Sequence, residues 1–121
     1  NNLNPDLESA KTILADSFIN YQQSSKNSQG VIEAVIKFYN IDHKALVSAS
    51  RKQELVKPRQ IVMYLLRHEI NLSFPNIGHE IGNRDHTTVI HACNKIIAEM
   101  KTNERLAQEI SSIKQLLNNG L

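Results

Sequence analysis

Ser73–Phe74–Pro75–Asn76–Ile77–Gly78–His79–Glu80–Ile81–Gly82–Asn83–Arg84–Asp85–His86–Thr87–Thr88 holds two helix starts separated by one break. Ser73 is a capping residue, and Pro75 falls in the turn that follows it. Ile77 and Ile81 then recur at helical spacing on one face. Gly82 and Asn83 both tolerate φ > 0, which a sharp turn between helices demands. Asp85 caps a second, longer helix with a core stripe of Val89, Cys93, Ile96 and Met100. A helix, a tight Gly-containing turn and a longer helix make the helix-turn-helix layout.

Outward from this segment the helical period persists. Upstream, Pro58 fits the first turn of a helix carrying Ile61, Val62, Leu65 and Leu66 and ending near Asn71. Ser48 to Val56 reads as a loop holding Arg51 and Lys52. Asp42 suits the cap of a short helix through about Val47. A helix from about Ser28 to Tyr39 buries Val31, Ile32, Val35, Ile36 and Tyr39, with Asn40 as its stop. Downstream, Leu106, Ile110, Ile113 and Leu117 mark a last helix, stopped by Gly120. At the other end, Leu7, Ala10, Leu14, Phe18 and Tyr21 repeat after an Asn4–Pro5–Asp6 start. The polar run Gln22 to Ser28 then reads as a linker. The expected class is all-α: a compact helical domain at 25–121, preceded by a helix and linker at 1–24.

Composition agrees. The chain has 121 residues, 40% hydrophobic and 21% charged, which suits a folded domain. Aromatics are 5% and Trp is absent, so the core must be mostly aliphatic. The longest apolar run, Ile61 to Leu66, is far short of the ~20 residues a membrane span needs. No charged-then-apolar leader opens the sequence, which reads as a piece of a larger protein. The single cysteine, Cys93, excludes an internal disulfide and fits a reducing compartment.

The net charge of +2 is unevenly placed. Residues 51–67 hold Arg51, Lys52, Lys57, Arg59 and Arg67 against Glu54 alone, a local charge of +4. The stretches on either side are each −1. A basic patch on a near-neutral domain is the footprint of a polyanion partner, although a solvated face has the same composition.

In a helix-turn-helix the second helix enters the major groove, and its first residues meet base edges. Here those are Asp85, His86, Thr87 and Thr88. A Thr methyl packs on a thymine methyl, Asp accepts from the cytosine amino group, and His donates to a purine N7. From the tetrapeptide alone, simple helix capping explains the same residues equally well. Other chemistries fit poorly. His79, His86, His91 and Cys93 lack the spacing of a closed metal site. Cys93 lies on the core stripe, and no nucleophile elbow or G-x-x-x-x-G-K-[ST] loop occurs.

The run Ile77 to Ala92, above all Arg84–Asp85–His86–Thr87–Thr88–Val89 followed by His91–Ala92, resembles the hallmark of the DnaA family of bacterial chromosomal replication initiators. Lys57–Pro58–Arg59–Gln60–Ile61 is similar to that family's Pro-Arg-Gln helix start, at matching distance. The resemblance covers about residues 28–121, the family's C-terminal DNA-binding domain. Residues 1–24 then correspond to the helix leading out of its ATPase module. Two departures stand out: Ile81–Gly82–Asn83 replaces the family's Phe-Gly-Gly, and the loop before Pro58 is thinner in bases.

The resemblance implies sequence-specific binding of double-stranded DNA at origin boxes of the asymmetric TTATNCACA kind, one domain per box. Asp85, His86, Thr87 and Thr88 would read the major groove, and Arg51 the minor groove. Lys57, Arg59, Gln60, Arg67, Pro75, Arg84, His91 and Lys95 would lie at phosphates, with free amides beside Pro75 making the contact there. It also implies a cytoplasmic, nucleoid-associated protein. ATP would belong to the full-length chain, and no enzyme activity or cofactor to this part. Residues 1–50 contain no arginine, so the family's nucleotide-sensing arginine would lie elsewhere. The alternatives are a repressor reading a palindromic operator as a dimer, or a helical protein-interaction module.

Overall fold

The computed structural model describes residues 28–118, and these form six helices. In order they are α1 (28–39), α2 (His43–Leu46), α3 (Gln53–His68), α4 (Phe74–Glu80), α5 (His86–Thr102) and α6 (Glu104–Asn118). The all-α expectation holds, and no strand occurs among the described residues. The expected leading helix and linker at 1–24 and the Gly120 stop lie outside them.

α3 is the axis of the domain. Its run Ile61 to Leu66 is buried at every position, so no turn of that segment shows a solvent face. A helix apolar all round belongs in a core, which is what a short unbroken apolar run permits when it cannot span a membrane. α5 packs on α3, α4 and α6, while α2 and α4 pack on α3. Val31, Ile32 and Val35 of α1, Val89 and Ile96 of α5, and Leu106, Ile110 and Ile113 of α6 close the same core. The expected stripes therefore point inward.

The helix ends follow from local chemistry. Asn40 sits at φ 55° and ends α1, and the Ile41 amide donates back to the Ile36 carbonyl at 3.1 Å. The Ser73 hydroxyl accepts from the Asn76 amide at 3.3 Å, with Pro in the first turn of α4. Two expectations need correction. Asp42 precedes α2, but its side chain makes no capping bond. α3 starts at Gln53, so Pro58 lies inside the helix rather than in its first turn. Gln53, Glu54 and Leu55 are good helix formers and extend the helix backwards, while the buried Pro58 ring needs no amide partner.

Candidate nucleic-acid interface

The turn between α4 and α5 is built by close approach. Gly82 and Asn83 take φ values of 70° and 57°, the left-handed pair the sequence suggested. The Asn83 side chain accommodates this region, so the departure from Gly-Gly leaves the turn intact. Gly78 was not singled out from the sequence, yet it decides the geometry. A Cβ there would lie 2.0 Å from the Arg84 carbonyl oxygen. The Gly78 carbonyl in turn accepts from the Arg84 amide at 2.8 Å. A glycine inside a helix is itself a signal of such an approach, since it is costly there otherwise.

This turn delivers α5 with its first residues in solvent. The Asp85 carboxylate accepts from the Thr87 amide at 3.0 Å. Hydrogen bonding by Thr87 holds that carboxyl below the usual range. Capping is thus real, and it leaves Asp85, His86, Thr87 and Thr88 all exposed. His86 Nδ1 stands 3.8 Å from Asp85 Oδ1. His91 and Lys95 continue the exposed stripe along the helix. Cys93 faces inward, where burial pushes its thiol up to about 11.

The basic segment divides. Arg51 and Lys52 are exposed, in the loop that ends where α3 begins. Arg59, expected at a phosphate, is only 6% exposed. Its Nε donates to the Leu46 carbonyl at 2.7 Å, and its Nη atoms donate to Ser50 O at 2.9 Å and Ala45 O at 3.4 Å. Arg84 behaves alike: it donates to Ile81 O at 2.7 Å, to Val47 O at 3.4 Å and to Ser48 O. Burial lowers both guanidinium pKa values, and Arg84's charge adds to the effect on Arg59. Lys57 is paired with Glu99. Each of these three cations thus has an internal partner, while Arg59 and Arg84 also line the grooves of this face. Sequence counts charges without showing which carbonyls or carboxylates fold back against them.

The remaining expected residues are arranged around the same face. A cleft lined by Ser48, Ser50, Arg51, Gly82, Arg84 and Thr88 separates the loop from the start of α5. A second groove, lined by Gln60, Thr88, His91 and Lys95, continues it between α3 and α5. Gln60 is half-buried, and its Oε1 has no hydrogen-bond partner among the described residues. Pro75 is exposed at the start of α4. Arg67 is half-buried, donates to Leu72 O at 3.1 Å and lies 4.4 Å over the Phe74 ring. Among the described residues, no group of three or more His, Cys, Asp or Glu could hold a metal.

Comparison with known proteins places this geometry. The family model described as bacterial DnaA protein helix-turn-helix matches residues 28–96. The chain belongs to the bacterial DnaA helix-turn-helix family. The matched span runs from α1 through Ile96 of α5 and so contains the turn, the clamped loop and the exposed helix start. Among similar proteins is the chromosomal replication initiator protein DnaA of Roseiflexus castenholzii, 35% identical over 98% of this chain and 25% of the relative. That of Herpetosiphon aurantiacus is 38% identical over 92% of this chain and 24% of the relative. That of Lacticaseibacillus casei is 43% identical over 74% of this chain and 20% of the relative. The chain thus spans about a quarter or less of the length of these DnaA relatives.

Proposed function

We propose that this domain binds double-stranded DNA sequence-specifically at replication-origin boxes, one domain per asymmetric box. In doing so it positions the rest of an initiator chain for the start of chromosome replication. The observation that carries this reading is the exposed row Asp85, His86, Thr87 and Thr88, held at the start of α5 by the α4–α5 turn. Such a row enters the major groove with its caps already satisfied, so binding does not have to reorder the helix start. Thr87 and Thr88 offer a methyl and a hydroxyl each, and His86 a ring N–H, the groups that base edges in the major groove would engage. Arg51, exposed on the neighbouring loop, would enter the narrow minor groove beside the box. His91, Lys95 and Gln60 would line the backbone track, with the amides next to Pro75 at its far end and Arg67 acting behind them.

ATP binding and hydrolysis would belong to a module outside these residues, since the chain carries no phosphate-cradling G-x-x-x-x-G-K-[ST] loop. Residues 1–24 would form the exit from that module, and the working location would be the cytoplasm, on the nucleoid. The test is a titration against a duplex carrying a TTATNCACA-type box and against a scrambled duplex, each at two salt concentrations. The expected result is tight, one-to-one binding of the box with weaker, more salt-sensitive binding of the scrambled duplex. Equal affinity for both overturns the reading. Two domains bound per box would favour a palindrome-reading repressor instead.

A further inference from the structure

The loop from Val47 to Lys52 is short of structure of its own, yet it is tied down almost residue by residue. The Ser48 hydroxyl donates to Ala45 O at 2.7 Å and accepts from the Ser50 amide at 3.2 Å. The Ser50 hydroxyl accepts from the Lys52 amide at 3.3 Å. Arg59 reaches in from α3 to the carbonyls of residues 45, 46 and 50. Arg84 reaches in from the helix-turn-helix turn to those of residues 47 and 48. Gly82 completes the seam: a Cβ there would stand 2.4 Å from the Val47 carbonyl oxygen and 2.9 Å from Arg84 Nη1. Loop and turn therefore touch backbone to backbone.

This arrangement is not the cheapest way to fold a loop. Two guanidinium groups lie close enough that one depresses the other's pKa. Among the described residues neither forms an ion pair with a carboxylate. Like charges brought together in a half-buried place oppose folding, and only carbonyl dipoles offset them here. What the pair supplies is geometry. A guanidinium fork spans two or three carbonyls at fixed angles, which an ammonium cannot do. The residue held immediately beyond the last clamped carbonyl, Ser50 O, is Arg51.

We propose that Arg59 and Arg84 are positioning residues for Arg51. They fix the loop in register with the start of α5, so that minor-groove reading by Arg51 and major-groove reading by Asp85 to Thr88 operate as one rigid unit. The inference rests on the DNA-binding reading above. Loop order set in advance removes an ordering cost from binding, and that gain is realised only through Arg51. A direct phosphate contact by Arg59 or Arg84 would act independently of Arg51, and of the base pairs flanking the box.

The test is a double-mutant cycle of Arg84→Lys with Arg51→Ala, read as affinity at fixed salt. The duplexes are a box with A·T flanks, a box with G·C flanks, and a scrambled control. Lysine keeps the charge and removes the fork. Arg84→Lys is expected to weaken the A·T-flanked box about tenfold, and by less than about twofold when Arg51 is absent or the flanks are G·C. Arg59→Lys is expected to follow the same pattern, with circular dichroism confirming the fold of each variant. A second readout needs no variant. The amides of Ser48, Ser50 and Lys52 should be protected from hydrogen exchange in the free domain, and gain little on binding the box. Losses that are the same with and without Arg51, or a loop protected only when DNA is bound, overturn the proposal while leaving the DNA-binding reading standing. Wild-type affinity that fails to separate box from scrambled duplex overturns both.

Discussion

The α4–α5 turn and the α2–α3 loop lie against each other on one face, and they are held by opposite means. The turn is held by backbone: two left-handed residues, Gly82 and Asn83, and an amide-to-carbonyl bond from Arg84 to Gly78. The loop is held mainly by side chains from elsewhere in the chain, Arg59 and Arg84. A backbone-built turn tolerates change in its side chains and almost none in its small residues. A side-chain-built loop has the reverse sensitivity. One residue, Arg84, serves both, since its amide closes the turn and its guanidinium clamps the loop.

Substitution can break this contrast at its strongest point first. Gly78→Ala places a methyl on the Arg84 carbonyl, which is backbone and cannot rotate away. The expected loss is about 3 kcal/mol or more of stability, measured by urea unfolding. An unchanged midpoint would show that the turn is softer than described. Arg59→Ala comes next. It removes hydrogen bonds to three carbonyls, that of Leu46 being buried. A loss of roughly 2–3 kcal/mol is expected in the same assay, because charged donors are lost and an acceptor is left unsatisfied. A stability change near zero would show that these hydrogen bonds do not hold the loop.

Thr88→Ala probes the presented surface rather than its support. It should cost about 1–3 kcal/mol on a box duplex and little on scrambled DNA, with the unfolding midpoint unmoved. Equal losses on both duplexes would assign Thr88 to the backbone. The smallest expected effect is a pH dependence at the helix start. The Asp85 carboxyl titrates below its ordinary range because it is hydrogen-bonded to Thr87. Its capping contribution is thus complete above the ordinary carboxylate range and lost as pH falls through the lowered value. Asp85→Asn should flatten that part of an acid titration followed by circular dichroism, since the amide still caps but does not titrate. A curve identical to wild type would show that the charge on Asp85 is immaterial to the helix start.

The same contrast explains what could be read from the sequence. Ser73, Gly82, Asn83 and Asp85 act on residues within a few positions of themselves, and all four roles were legible. The exposed helix start followed, because capping and periodicity place Asp85 to Thr88 without any tertiary information. The family match lies over the same residues. Arg59 and Arg84 were legible only as charges. Their partners lie 13 and 37 positions away at Leu46 and Val47, and no local pattern encodes a carbonyl brought there by packing. The pairing of Lys57 with Glu99 across α3 and α5 was hidden for the same reason. Pro58 misled because proline is commonest in a first turn, whereas here the preceding residues are themselves good helix formers.

The continuous burial of Ile61 to Leu66 has a consequence for how the domain is made. A helix with one apolar stripe can be satisfied by a single neighbour, but this segment is covered on all sides, with α2, α4 and α5 each packed on α3. No subset of those helices completes its coverage, so partial assemblies leave apolar surface in water and gain little by persisting. The folding transition should therefore be all-or-none. The backbone amides of 61–66 should open only when the whole domain does, setting the ceiling of its hydrogen-exchange protection.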